Sequence, residues 1–239
     1  MLAPTALVAW WCSPALAPVV PEVARALRLP TRQADHGTVA VTFDDGPHPE
    51  GTPAVLETLR DAGAGATFFL VGEQVERNPS LAAEIAAAGH TIAVHGHQHR
   101  NSLRLTPRAF ESDLALAIGA IGEATGEEPD IHRAPYGIYS PAALDAVRRR
   151  DLRPLLWSRW GHDWRGSASA QSIASEVTAD LVGGEVLLLH DADHYSAPGS
   201  WRATAAALPE VLRRIEAAGL TPTGLKGPRR RRSTRVATS

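Results

Sequence analysis

From residue 38 onward the chain alternates between short apolar runs and longer runs of helical periodicity. The apolar runs, rich in β-branched and aromatic residues, predict strands at 38–43 (TVAVTF), 66–71 (ATFFLV), 90–95 (HTIAVH), 131–134 (IHRA), 153–158 (RPLLWS), 185–190 (EVLLLH) and 221–225 (TPTGL). Between them, apolar residues recurring every three or four positions predict helices over 53–63, 80–89, 107–126, 141–151, 172–184 and 204–219. Gly63, Gly89 and Gly219 stand at helix-to-strand junctions, where a left-handed C-cap is wanted. Strands that are apolar throughout must be covered on both faces. The pattern therefore predicts an α/β fold with a parallel sheet of about seven strands, doubly wound or closed as a barrel. No long linker divides the series, so one domain is expected.

Composition fits a single globular unit: 239 residues, 44% hydrophobic and 21% charged. The formal net charge of −2 conceals an uneven distribution, because the segment 226–239 (KGPRRRRSTRVATS) carries six Lys/Arg and no acid. Setting those six aside leaves 18 basic against 26 acidic residues, a body charge of −8, which argues against a nucleic-acid-binding body. The tail is expected to be a disordered basic terminus, with contact to an anionic lipid or polymer as the sharper alternative. The single cysteine, Cys12, excludes an intramolecular disulfide. Residues 1–37 open with an apolar stretch that contains the small-residue sequence ALA at 15–17 but lacks Lys or Arg before the apolar run. A cleaved signal or anchor and a packed extension of the domain are both open readings; Pro4, Pro14, Pro18 and Pro21 argue against a straight membrane-spanning helix.

Polar residues placed on this frame converge. Asp44 and Asp45 follow the first strand, His95 ends the third, Arg133 falls at the fourth, Asp163 lies just beyond the fifth and His190 ends the sixth. Carboxyl ends of parallel strands share one rim, where α/β proteins build their active sites. Neighbouring side chains diverge, so the two carboxylates of TFDDGP can serve different roles. Either one, with two histidines, makes a two-histidine, one-carboxylate set that leaves positions open on a catalytic metal. His190 is a candidate proton donor, and Arg133 can orient the free carboxylate. The stretch HGHQH allows two arrangements. Period-two spacing puts His95, His97 and His99 on one strand face; alternatively the strand ends at His95 and the chain coils, so that His95 and His99 meet one turn apart.

Five stretches, TFDDGP (42–47), HGHQH (95–99), RAPYG (133–137), GHDW (161–164) and LLLHD (187–191), in this order and spacing resemble the motifs of the polysaccharide deacetylase family, the NodB-homology domain of carbohydrate esterase family 4. The resemblance spans residues 38–225 and implies a distorted (β/α) barrel in a single domain. It also implies removal of acetyl groups from N-acetylated or O-acetylated sugars, such as those of peptidoglycan or chitin oligomers, with a divalent metal, zinc above others. Carried over by position, Asp44 is the general base and Asp45, His95 and His99 are the metal ligands, with His97 a loop residue making a hydrogen bond of its own. Arg133 holds Asp44, the backbone N–H of Tyr136 helps bind the oxyanion, His190 is the general acid oriented by Asp163, and Trp164 with Leu188 lines the acetyl pocket. A monomer acting on an acetylated glycan is expected, secreted or associated with the cell envelope and in contact with wall or membrane.

Some positions depart from the family pattern. Gly96 stands where Ser or Thr is usual and its hydroxyl braces the loop; Ala134 replaces a common proline; within WSRWGHDW only DW matches the fourth motif firmly. Trp157 is expected to pack, His162 and His194 to be exposed loop histidines, and residues 190–201 to form one wall of a substrate groove. Two alternatives stand beside the deacetylase: a non-catalytic carbohydrate-binding member of the fold, and a metal-dependent amidase or esterase on a small non-sugar substrate.

Overall fold

The computed structural model describes residues 13–225. The first twelve residues, including Cys12 and the start of the expected signal, and the basic tail at 226–239 lie outside the described residues. Eight strands form one parallel sheet: β1 (Thr38–Asp44), β2 (Thr67–Leu70), β3 (Thr91–Val94), β4 (Ile131–His132), β5 (Arg153–Pro154), β6 (Arg159–Trp160), β7 (Val186–His190) and β8 (Thr221–Thr223). Their order is β5-β4-β3-β2-β1-β7-β6, with β8 paired to the first half of β1. Val39, Val41, Phe43, Phe68, Phe69, Val94 and Leu189 are all fully buried, as strands covered on both faces require.

The barrel's distortion lies between β5 and β6. The sequence predicts one strand over 153–158; instead the chain pairs with β4 through Arg153 and Pro154, then with β7 through Arg159 and Trp160. Between these ladders the Leu155 N–H donates to the His132 carbonyl and the Ser158 N–H to the Val186 carbonyl, while the Leu156 N–H is taken by Pro30 from the N-terminal segment. One extended stretch thus passes from one sheet edge to the other and joins the two edges through the chain itself.

Eight α-helices flank the described sheet: Pro21–Ala26, Gly51–Asp61, Gly72–Arg77, Pro79–Ala87, Pro107–Thr125, Pro141–Arg149, Ala170–Val177 and Ser200–Ala217. Two of them, Pro21–Ala26 and Gly72–Arg77, have six residues each and are too short for periodicity to reveal. Ser140, Thr106 and Ser169 cap their helices by accepting backbone N–H groups in the first turn. Gly63, Gly89 and Gly219 adopt φ of +61°, +83° and +73°, the expected left-handed exits. Among the described residues no helix is long and apolar enough to cross a membrane.

Candidate active site

The ends of the strands fix the centre of the site. Parallel register sets Asp44 beside His190 across β1 and β7, and Val94 beside His132 across β3 and β4, so the next residues, His95 and Arg133, reach the same rim. At the end of β1 the chain turns through Asp45 at φ +79°, a conformation rare outside glycine, and the two carboxylates part company. Asp44 Oδ1 accepts Arg133 Nη1 at 2.6 Å. The guanidinium is itself fully buried: it donates to Thr42 Oγ1 at 2.8 Å and to the Leu156 carbonyl at 3.0 Å, and lies 3.9 Å over the Phe69 ring. A charge-assisted bond in such surroundings holds Asp44 in one orientation.

Asp45 faces the histidines. Its Oδ1 lies 3.4 Å from His95 Nε2 and 3.3 Å from His99 Nε2, is buried, and has no hydrogen-bond partner. The three ligand atoms lie within 4.8 Å of one another. His95 Nδ1 is 2.9 Å from the Arg133 carbonyl, which can only accept, so Nδ1 carries a proton and Nε2 is turned toward Asp45. Burial pushes the Asp45 carboxyl up, but the adjacent imidazoles of His95 and His99 outweigh it and hold the group well below the usual carboxylate range. An ionised carboxylate oxygen and two imidazole nitrogens aimed at one point fit a divalent cation.

The loop that carries His99 is neither strand nor helix: β3 stops at Val94, Gly96 turns at φ +80°, and residues 95–101 form no regular element. His95 and His99 therefore meet through a bent loop and not through a helical turn. The His97 ring makes no hydrogen bond, its Nδ1 being buried without a partner; the residue's backbone N–H does so instead, donating to Asp113.

Beyond Asp45 stands His190, whose Nε2 is 4.0 Å from Asp45 Oδ2. Its Nδ1 lies 2.9 Å from Asp163 Oδ1, and its backbone N–H donates to Asp163 Oδ2 at 2.7 Å. Thr204 Oγ1 donates to the same Oδ2 at 2.8 Å, so the buried Asp163 is held on three sides. Burial opposes a charged imidazole, yet the Asp163 carboxylate and its hydrogen bond, with Asp45 and Asp44 nearby, push His190 up to about 10. At neutral pH it carries the proton that an acid needs.

Asp44, Asp45, His95, His99 and His190 line a cavity of about 450 Å³ together with Tyr136, Trp157, Trp160, His162, Trp164, Arg165, Leu188, Tyr195 and Ser196. Tyr136, at φ +60° in the turn Pro135–Gly137, sets its ring edge-on to His99 at 4.5 Å. Trp164 stands edge-on to His190 at 5.7 Å, and Leu188 is buried on β7.

The family model described as polysaccharide deacetylase matches residues 31–155. The chain belongs to the polysaccharide deacetylase family. It is 33% identical over 192 residues to a chitooligosaccharide deacetylase of Azorhizobium caulinodans, covering 77% of this chain and 91% of the relative. It is also 33% identical over 183 residues to a peptidoglycan-N-acetylglucosamine deacetylase of Bacillus cereus, covering 76% and 83%. Among solved structures, a family 4 carbohydrate esterase from Streptomyces lividans in complex with acetate superposes with a TM-score of 0.70 at 31% identity, over 79% of this chain and 93% of that one.

In this member of the polysaccharide deacetylase family, the loop of His99 is braced from outside. Asp113, buried on the helix Pro107–Thr125, accepts the His97 N–H at 2.8 Å, the Gln98 N–H at 3.3 Å and Arg100 Nη2 at 2.8 Å. A Cβ on Gly96 would lie 3.3 Å from Asp113 Oδ2, so the backbone of the loop passes close to that carboxylate. Sequence reasoning passed over Asp113, although an acid on the stripe Phe110, Asp113, Leu114, Ala117, Ile121 was the signal. Tyr195 was also passed over: it stacks on His99 at 4.3 Å and 10°, donates its hydroxyl hydrogen to Glu73 at 2.5 Å and accepts from Gln74 at 3.0 Å. Its loop, within the expected wall at 190–201, is tied to the Asp44–Asp45 turn by His48 and Asp193, 3.2 Å apart.

Two expectations change. His162 is half-buried and lines the cavity, its ring held between Trp160 Nε1 at 2.7 Å and Glu176 Oε2 at 2.8 Å. His194 is also half-buried, 5.0 Å from the His48 ring. Trp157 packs as expected, buried and edge-on to Trp160.

Proposed function

We propose that the chain hydrolyses acetyl groups from N-acetylated sugars of a glycan of the peptidoglycan or chitin-oligomer type, with a divalent metal as cofactor. The observation that carries this reading is the meeting of Asp45, His95 and His99 beside an arginine-held Asp44 and an aspartate-held His190. Asp45, His95 and His99 hold the metal, and zinc suits two imidazoles and a carboxylate. When bound, such a cation polarises the acetyl carbonyl and makes water more acidic.

The remaining steps belong to the protein. Asp44, anchored by Arg133 and unable to swing away, takes the proton of the attacking water. Negative charge gathers on the carbonyl oxygen, where the backbone N–H of Tyr136 serves as a fixed donor; one such donor is worth roughly 3 to 4 kcal/mol in other hydrolases. His190 delivers its Nε2 proton to the departing sugar nitrogen, while Asp163 holds the imidazole in the tautomer that keeps Nδ1 protonated. Trp164 and Leu188 enclose the acetyl methyl. Such glycans lie outside the cytoplasm, so action at the cell envelope or beyond it belongs to the same proposal, as does a role for the 38–225 unit as the catalytic domain.

The test is acetate release from N-acetylglucosamine oligomers by metal-stripped protein before and after zinc is restored, for wild type, Asp45→Ala and His190→Ala. Zinc-dependent release by wild type, abolished in Asp45→Ala, is expected. His190→Ala should lose roughly 10²- to 10⁴-fold on amides and much less on acetyl esters, whose leaving group needs no proton. A wild type that binds zinc and releases no acetate from these oligomers or from acetylated xylan sinks the sugar assignment.

A further inference from the structure

The N-terminal segment enters the cavity that holds the candidate catalytic residues. Pro18 and Val19 line it with Asp45, His99 and Tyr136, although they lie about a hundred residues before Tyr136 in the chain. Their placement is set by packing on both sides. Ala17, Ala24 and Leu29 are each only 3% exposed within the hydrophobic core, and the Leu16 carbonyl accepts the N–H groups of Val19 at 3.0 Å and Val20 at 2.8 Å, making a tight turn. Pro18 then presses on the Tyr136–Gly137 turn: a Cβ on Gly137 would lie 2.8 Å from Pro18 Cγ and 2.6 Å from Trp157 Cη2. Only glycine, at φ +68°, fits between the N-terminal segment and the tryptophan.

This contact leaves apolar surface facing outward at the cavity mouth. Of the five large hydrophobic side chains exposed among the described residues, Leu16, Val19 and Tyr136 belong to this region, with Val19 at 64% and Tyr136 at 55%. An exposed aliphatic and an exposed aromatic side chain lining the cavity of a candidate reaction centre match the C–H face of a pyranose ring, whose equatorial hydroxyls point away to solvent. The surface is continuous with the cavity, so a ring covalently linked to a group held at the centre can rest on it.

Building on the deacetylase reading, we propose that Pro18, Val19 and Tyr136 form a binding subsite for a neighbouring sugar ring of an oligosaccharide substrate, with the N-terminal segment as one wall. On this proposal a chain of sugars gains a contact with this wall that a small acetyl ester lacks. Preference for longer oligomers is therefore written in part into a segment outside the five motifs.

The test compares wild type with Val19→Asp and Pro18→Gly on two substrates, the N-acetylglucosamine tetramer and 4-nitrophenyl acetate, with tetramer affinity measured by calorimetry and melting temperature recorded for each protein. For the tetramer, KM and the dissociation constant should rise roughly 5- to 20-fold, the loss of one apolar contact, while kcat stays within about twofold. Hydrolysis of 4-nitrophenyl acetate should be unchanged. Unchanged tetramer affinity in both variants overturns the subsite, as does an equal loss on both substrates together with a lower melting temperature, which marks the segment as scaffold alone. If wild type binds the tetramer without releasing acetate, the deacetylase reading fails while the affinities still decide the subsite; if it does not bind the tetramer at all, both fail.

Discussion

The site has two parts built by different means. Asp44, Asp45, His95 and Arg133 sit at or just past strand ends, are at most 3% exposed, and are held by buried hydrogen bonds or by the turn of the backbone. Trp160, His162, Trp164 and Tyr136 stand around them at the cavity edge, more exposed and fixed by ring contacts, with the exposed Val19 lining the same cavity. The difference teaches where function tolerates change. A strand-end residue has no second position to adopt, so on the proposed mechanism altering it should remove a chemical step, whereas altering an edge residue should change which substrate is held. His190 and His99 join the two parts: His190 is held through its ring by Asp163, and His99 sits on a loop whose neighbouring backbone N–H groups Asp113 gathers.

Breaking the support of His190 should have the largest effect. Asp163→Asn keeps the shape but removes the charge that raises the imidazole pKa, so kcat on amide substrates should fall roughly 10²- to 10⁴-fold. The sign of the pH effect follows. His190 is raised to about 10, so its protonated form persists well above the ordinary value of about 6.5, and activity is lost as pH rises through the folded pKa. In Asp163→Asn the alkaline limb of the pH–rate profile should move toward neutrality by at least one unit. Identical limbs in the two proteins would show that Asp163 orients the ring without tuning it.

Support of His99 comes next in size. Asp113→Asn retains one acceptor oxygen but discards the charge that gathers the His97 and Gln98 N–H groups and Arg100. Partners behind a ligand are typically worth 10- to 100-fold in metal affinity, so zinc binding followed by calorimetry should weaken by about that factor, with activity recovered at saturating zinc. Equal zinc affinities would leave the loop braced by Tyr195 and by the Gly72 and Glu73 N–H groups, which donate to the Gly96 and His97 carbonyls.

This pair of supports also marks what was legible in the chain. The centre at the strand ends could be read because periodicity locates a strand and parallel packing sends every strand end to one rim. The β/α order and the glycine exits followed from the same logic. Asp113 and Tyr195 could not be read this way: each acts across a gap of sixteen to more than a hundred residues, through side chains whose meeting depends on how a helix and a loop pack. The break between β5 and β6 was hidden for a related reason. RPLLWS looks like one strand because it is one extended segment, and only its change of partner, from β4 to β7, divides it.

The smallest predicted effect lies behind the strand-end half, at His132, immediately before Arg133. The Tyr139 hydroxyl donates to the His132 carbonyl at 2.9 Å and stands 2.9 Å from its ring Nδ1, so it can only accept from that nitrogen. The ring is therefore neutral with Nδ1 protonated, and Nε2 is buried without a partner. Burial, with repulsion from His95, pushes His132 down to about 3. The folded pKa is below the unfolded value, so the unfolded chain binds the extra proton, and stability is lost as pH falls below about 6.5 at about 1.4 kcal/mol per unit. At pH 5 this amounts to about 2 kcal/mol, or about 4 to 8 °C in melting temperature for a chain of this size. His132→Phe fills the same space against Phe110 and removes the titrating nitrogen. Its melting temperature should drop less than that of wild type between pH 7 and pH 5, by about that difference. Parallel curves would place the acid sensitivity elsewhere, with His90, also pushed down by burial, as the next residue to replace.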